Sequence, residues 1–175
     1  VMAAFAAAVK IDSFAYMPVQ DFGNAFSTFI AQNYGAGKKE RIRAGLKGAV
    51  ITAAVFGILV SAVVWIGARQ LMLIFVNAGE TEIISEGVRY LHIEGAFYCG
   101  IGCLFLLYGL YRGIGKPGMS VVLTVISLGT RVALAYLLSA VPSIGVAGIW
   151  WSVPIGWGLA DLVGLAYYIK KKAAA

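Results

Sequence analysis

The sequence predicts an all-α, polytopic transmembrane helix bundle of about five spans, forming a single lobe over residues 1–175. Three observations carry this expectation. Hydrophobic residues make up 61% of the chain and charged ones 13%, with a mean hydropathy of +0.86. A soluble chain is nearer about 45–50% apolar and about 25% charged. Apolar runs long enough to cross a bilayer recur along the chain, each needing about 20 residues. Lys and Arg gather in alternate connections, the bias that marks cytoplasmic loops.

The first span covers roughly 9–33, with room to begin as early as Met2. Pro18 removes one backbone hydrogen bond near the Phe14 carbonyl and predicts a kink. At 100° per residue, Lys10, Met17, Asp21, Asn24, Thr28 and Gln32 share one side, and Asp12 lies opposite. A Gly-Ala-Gly break then turns the chain into Lys38, Lys39, Arg41, Arg43 and Lys47, its densest positive charge. The second span, roughly 46–66, contains GAVITAAVFGILVSAVVWI, which has no charge, and ends at Trp65 and Arg69 as interfacial anchors.

An acidic outer connection with Glu80, Glu82 and Glu86 leads to the third span, roughly 90–111. Read as one straight helix, it aligns Glu94, Tyr98, Phe105, Tyr108 and Arg112, while Gly109 and Gly113 form a small-xxx-small contact pair. RGIGKPG returns the chain to the basic side. The fourth span, roughly 119–140, places Ser120, Thr124, Ser127 and Arg131 on one face. The fifth, roughly 145–169, carries a Gly156, Ala160, Gly164 ladder and a second side of Trp150, Pro154, Trp157, Asp161 and Tyr168. Lys170, Lys171 and Lys172 end it on the cytoplasmic side.

Every basic cluster falls on one side when five spans alternate. The same alternation starts the chain outside, and a further span ahead of Val1 would reconcile this with the absence of a secretory signal. The formal charge of +6 is therefore read as a topology signal with affinity for anionic lipid, not as a nucleic-acid footprint. Cys99 and Cys103 read as small core hydrophobes, since no His or acid stands at ligand spacing around them. No nucleophile–base pairing, metal spacing or phosphate loop after a strand occurs, so neither an enzyme nor a cofactor is expected.

The stretch MPVQDFGNAFSTFIAQNYGAGKKERIRAG resembles the multidrug and toxic compound extrusion (MATE) family, where such a helix and its Q-N-x-G-A-G exit precede a basic loop. YLHIEGAFYCGIGCLFLLYGLYRGIGKPGMS is similar to that family's helix–R-G-x-G-x-P–helix segment, and Arg131 in ISLGTRVALAYLL matches an Arg on the helix that follows. The resemblance runs end to end but covers only part of a twelve-span, two-lobe plan. It implies a partial C-terminal lobe from its second helix onward, with the N-terminal lobe as a missing partner. It also implies antiport of small organic cations and drugs against H⁺ or Na⁺, by rocking of two lobes around a cavity. The expected location is a cell membrane, the bacterial inner membrane, with membrane lipid around it.

Ionisable groups deep in a membrane face a cavity or a partner, and depth orders the candidates. Asp21, Asn24, Thr28 and Gln32 read as a cavity-lining stripe whose carboxylate exchanges a proton or cation; the alternative is an acid paired inside the bundle, for instance with Arg131. Asp12 and Lys10 lie nearer the outer end, where snorkelling competes with function. The resemblance implies an essential acid on the third span, but nearer Cys99 than Glu94, which leaves two readings of Glu94 open. His92 reads as interfacial or pH-sensitive. Arg131 reads as a structural partner for carbonyls or an acid, and Asp161 as interior or as part of an aromatic-lined cation pocket. The Tyr98, Phe105 and Tyr108 stripe serves core packing or drug contact. Two rivals remain: a lipid-linked oligosaccharide flippase of the same superfamily, with a cationic cavity for pyrophosphate, and a non-transporting helix module.

Overall fold

The computed structural model describes residues 2–173, and side chains as far as Lys170. Val1 and the side chains of Lys171 and Lys172 lie outside the described residues. Six helices follow one another: α1 (Met2–Gly35), α2 (Lys39–Leu73), α3 (Thr81–Gly95), α4 (Tyr98–Gly113), α5 (Pro117–Ser139) and α6 (Ala147–Ala173). Four of them, α1, α2, α5 and α6, are long and apolar enough to cross a membrane alone, and α3 with α4, a pair bent by 51°, is long and apolar enough for a fifth when taken as one span.

The stretch at 90–111, expected as one straight span, is the main departure. Its helix breaks at Ala96 and Phe97, and the two pieces meet at 51°. Phe97 takes φ −117° and ψ 18°, outside the helical well. Gly95 ends α3 against the Val64 side chain, and Phe97 receives a bond from the Gly100 amide at 2.8 Å that starts α4. Glu94 therefore closes one helix while Tyr98 opens the next, and the two no longer share a continuous face.

Both basic turns close in the same way. Gly37 and Gly115 have φ of +68° and +72°, values that favour a residue without Cβ. In each turn the next amide reaches five residues back, Lys38 to the Asn33 carbonyl at 2.9 Å and Lys116 to Tyr111 at 2.8 Å, the six-to-one bond that satisfies a helix's last carbonyls.

Close approach of small residues sets the packing. A Cβ on Gly109 would lie 2.5 Å from the Gly23 carbonyl oxygen, and one on Gly156 would lie 2.6 Å from the Ser127 oxygen. The small-residue seams on the third and fifth spans thus seat α4 on α1 and α6 on α5. Gly113 meets Ile30, Gly164 meets Leu107, and Tyr111 donates to the Gly164 carbonyl at 2.6 Å. These contacts make α1, α4 and α6 run one way and α2 and α5 the other. The turns carrying Lys38 and Lys116 and the end of α6 at Lys170 consequently stand at one end of the bundle. The core includes Met72, Leu91, Tyr98, Tyr111, Leu123 and Trp150, all nearly inaccessible.

Candidate functional site

Polar side chains occupy two distinct places. One lies inside the bundle, where α1 packs against α3 and α4 beside their break. Glu94 is 1% exposed, Tyr98 2% and Asp12 5%. Asp12 lies beside Tyr98 and faces Arg131; Glu94 lies beside Tyr90 and faces both Asp12 and Arg131. Trp150 and Phe5 pack edge-on against Tyr90 with ring centroids 5.9 and 5.5 Å away, which shuts the cluster off from that side. Asp12 Oδ1, Glu94 Oε1 and the Tyr98 hydroxyl have no hydrogen-bond partner in the structure. Two carboxyls are therefore buried beside phenols, with Arg131 at longer range, in a place that strongly penalises unbalanced charge.

The break brings this group together. Were residues 90–111 straight, Glu94 would continue the line of α4. The bend instead turns the last residues of α3 toward α1, whose face opposite the polar stripe presents Asp12. Arg131, half-buried on α5, faces this place from a distance longer than an ion pair.

The second place is the outer surface of α1. Lys10, Met17, Asp21, Asn24, Thr28 and Gln32 are all exposed, and the helix runs unbroken through Pro18. The stripe expected from helical phase is thus present, and it points away from the lobe's core. Its link to the rest of the lobe is Arg112, which donates from Nη2 to Asn24 Oδ1 at 2.8 Å and from Nε to its own helix at the Tyr108 carbonyl. Around it the exposed side chains of α2 and α5 are largely apolar, Ile58, Val63, Val125 and Leu137 among them.

Asp161 stands apart from both. It is buried on α6 beside Cys103, and its Oδ1 lacks a partner. Cys103 also lines a cavity of about 150 Å³ between α2, α4 and α6, with Leu46, Ala53, Cys99, Leu107 and Tyr168. Cys99, expected in the core, is exposed along α2, its thiol directed at the Ala54 carbonyl 3.7 Å away. His92 leaves the cluster altogether: it stacks on Trp65 at 4.6 Å, and its Nε2 lies 3.0 Å from the Trp65 carbonyl oxygen.

Of the expected residues, then, Glu94 and Tyr98 lie in one buried place that Arg131 faces, while Asp21, Asn24, Thr28 and Gln32 form a separate outward row. Arg131 faces Asp12 and Glu94 and not Asp21. Asp12 is the residue that sequence reasoning ranked low. Its signal was its phase: an acid opposite the polar side of its helix must meet either lipid or other helices, and an unpaired charge cannot rest in lipid.

Long apolar helices closed by basic turns, with ionisable groups buried among them, define a multi-pass helical membrane protein. The comparisons with known proteins make this specific. The family model MatE matches residues 1–137, and the chain belongs to that family. It is 23% identical over 167 residues to the probable multidrug resistance protein YoeA of Bacillus subtilis, covering 95% of this chain and 36% of the relative. It is 26% identical to the same organism's probable multidrug resistance protein YpnP, covering 96% of this chain and 37% of the relative. An outward-facing structure of a multidrug resistance MATE family transporter superposes with a TM-score of 0.90 at 22% identity, covering 98% of this chain and 38% of that one. The inward-facing counterpart gives 0.86 at 21% identity, covering 98% of this chain and 39% of that one. The chain thus spans little more than a third of the proteins it matches.

Proposed function

We propose that this chain is the C-terminal lobe, from its second helix onward, of a secondary multidrug antiporter that exports organic cations in exchange for H⁺ or Na⁺. The observation that carries the reading is the outward polar row on α1, Asp21 through Gln32, tied to Arg112 across the α1–α4 seam. A row of this kind is costly against lipid, an acid alone by about 2.5–3.5 kcal/mol near mid-membrane. It is at home beside a water-filled cleft against an N-terminal lobe, which this reading requires as partner. The relatives' names, multidrug resistance proteins in Bacillus subtilis, support the substrate class.

In this reading Asp21 attracts the cationic substrate or the coupling ion, and Asn24, Thr28 and Gln32 supply exchangeable donors and acceptors along the wall. Arg112 fixes the position of Asn24. Glu94, Tyr98 and Arg131 lie behind that wall, where a change of charge alters how α1 sits on the lobe. Asp161, beside the cavity lined by Cys103, adds a second acid for a cation. Alternating access follows from rocking of this lobe as a body, since its glycine-seated helices leave little room to slide.

The test is efflux of a cationic dye from cells carrying the full-length protein with Asp21→Asn. Efflux reduced tenfold or more at unchanged membrane abundance is expected. Unchanged efflux and unchanged ion dependence remove Asp21 from the mechanism and favour a non-transporting module. No dye export by the unaltered protein, with movement of a pyrophosphate-linked lipid, establishes the flippase alternative.

A further inference from the structure

We infer that the cleft between α1 and α2 at the basic end of the lobe binds one anionic phospholipid, its acyl chain in the cleft and its phosphate on the cations around Arg41. The cleft follows from side-chain size. α1 offers Phe22, Phe26 and Phe29, about one turn apart, and α2 answers with Gly45, Gly48 and Ala49. The Phe29 ring lies over Gly45 and stacks near Phe26, with 6.4 Å between centroids, so rings fill one part of the seam. Nothing stands within 4 Å of a Cβ placed on Gly48, and there the seam opens into a hollow of about 360 Å³. At Phe22 and Thr52 it meets a second hollow, of about 170 Å³, that reaches Pro18 and Phe56. From Gly45 to Phe56 the two extend for about 17 Å at about 1.5 Å per residue, close to half of a hydrocarbon core of about 30 Å. Thr52 is the single polar side chain lining that length, and Ala25, Gly48 and Thr52 are exposed along its open side. A trough with that reach and that lining fits a hydrocarbon chain of one leaflet.

Charge at the mouth selects the lipid. At 100° per residue Arg41 falls on the same face of α2 as Gly45, Gly48 and Thr52, one turn beyond the end of the cleft. Lys38, Lys39, Arg43 and Lys47 stand within two turns of it, all exposed, and Glu40 is the one acid among residues 38–47. An anionic headgroup is drawn to such a cluster. A zwitterionic one gains less, since its ammonium meets mostly like charge. A cationic drug is repelled outright, and Asp21, Asn24, Thr28 and Gln32 do not line the cleft, so it is distinct from the outward row of α1. The mouth is also fixed in place: Gly37 at φ +68° and the bond from the Lys38 amide to the Asn33 carbonyl at 2.9 Å set how α2 leaves α1.

A lipid seated here bridges α1 and α2 beside the polar row and fills a seam that their own side chains leave open. Its binding requires only that the two helices cross the bilayer, not that the protein exports drugs, and the measurement below involves no transport.

Native mass spectrometry of the purified full-length protein, offered phosphatidylglycerol and phosphatidylethanolamine with identical chains in equal amounts, tests it. One phosphatidylglycerol is expected to stay bound in preference. Arg41→Gln should lower that bound fraction about fivefold, the effect of removing one cation near the surface. Gly48→Leu puts a side chain into the open hollow without altering any charge, and should lower it at least as much. Lys116→Gln at the other basic turn and Gly129→Leu at an open position of α5 should leave it unchanged. Dibutyryl phosphatidylglycerol, which has the headgroup but hardly a chain, should not be retained, and this separates a lipid from a free phosphate ester. Arg41 and Gly48 are both exposed, so the variants should keep their melting temperatures, and either one decides the matter if the other does not fold. The inference is overturned by equal retention of the two lipids or by retention of neither, as when a helix of the N-terminal lobe fills the cleft. Full retention in Arg41→Gln or in Gly48→Leu, equal loss in the two controls, or retention of the short-chain lipid overturns it as well.

Discussion

Two residues of one helix, Asp12 and Asp21, show how little a side chain's identity says about its surroundings. Nine positions apart, they stand half a turn out of phase, so one is buried at 5% exposure while the other lies open. The outward row was legible in the sequence because its members share a helix and the 100° step places them. The buried pair was not, because Asp12 and Glu94 come from helices far apart in the chain, and no local period links them. Two predictions belong at this scale. Tyr111→Phe removes the hydroxyl that donates to Gly164 between α4 and α6, and should cost about 0.5–1.5 kcal/mol in a thermal or denaturant melt, with the fold kept. Asn24→Ala frees Arg112 from its outward partner; dye efflux should drop several-fold while the melting temperature stays put, since both groups are exposed.

At the scale of elements, long apolar stretches with basic or acidic ends announced themselves, and the helices found there extend beyond them into the turns. The break between α3 and α4 stayed hidden. EGAFYCG is apolar around its single acid and holds no Pro, so the hydropathy pattern runs through it without interruption, and the flanking Gly95 and Gly100 read equally well as packing contacts. What separates the readings is the long-range contact of Gly95 with Val64 on α2, which no window along the chain contains. The contact role of Gly109 was legible from its spacing. Gly109→Ala places a methyl against the Gly23 carbonyl and should cost about 1–3 kcal/mol by the same melts. Gly129→Ala is the control: open space surrounds that position, so stability should hold or rise slightly. Equal effects from both would mean that α1 and α4 are not seated by that glycine.

For the molecule as a whole, charge in the connections and direction of the helices give one answer from independent sources. The sequence places the basic turns on one side by composition, and the contacts between helices place Lys38 and Lys116 at one end and Glu82 at the other. With Cys99 and Cys103 replaced by Ala, single cysteines at Lys38 and Lys116 should react with a membrane-impermeant thiol reagent from one side only, and a cysteine at Glu82 from the opposite side. Reaction of all three from the same side would exclude the threading described here. How the lobe comes to be inserted follows from the polar row on α1. That row makes α1 the least apolar of the four long crossings, whereas α2, joined to it by a turn closed at Gly37, is the most apolar. Partitioning of α1 out of the translocon is therefore expected to wait for α2, the two entering as a hairpin; in a ribosome-arrested chain of the full-length protein ending before α2, a photo-crosslinker at Val19 should label the translocon and not lipid.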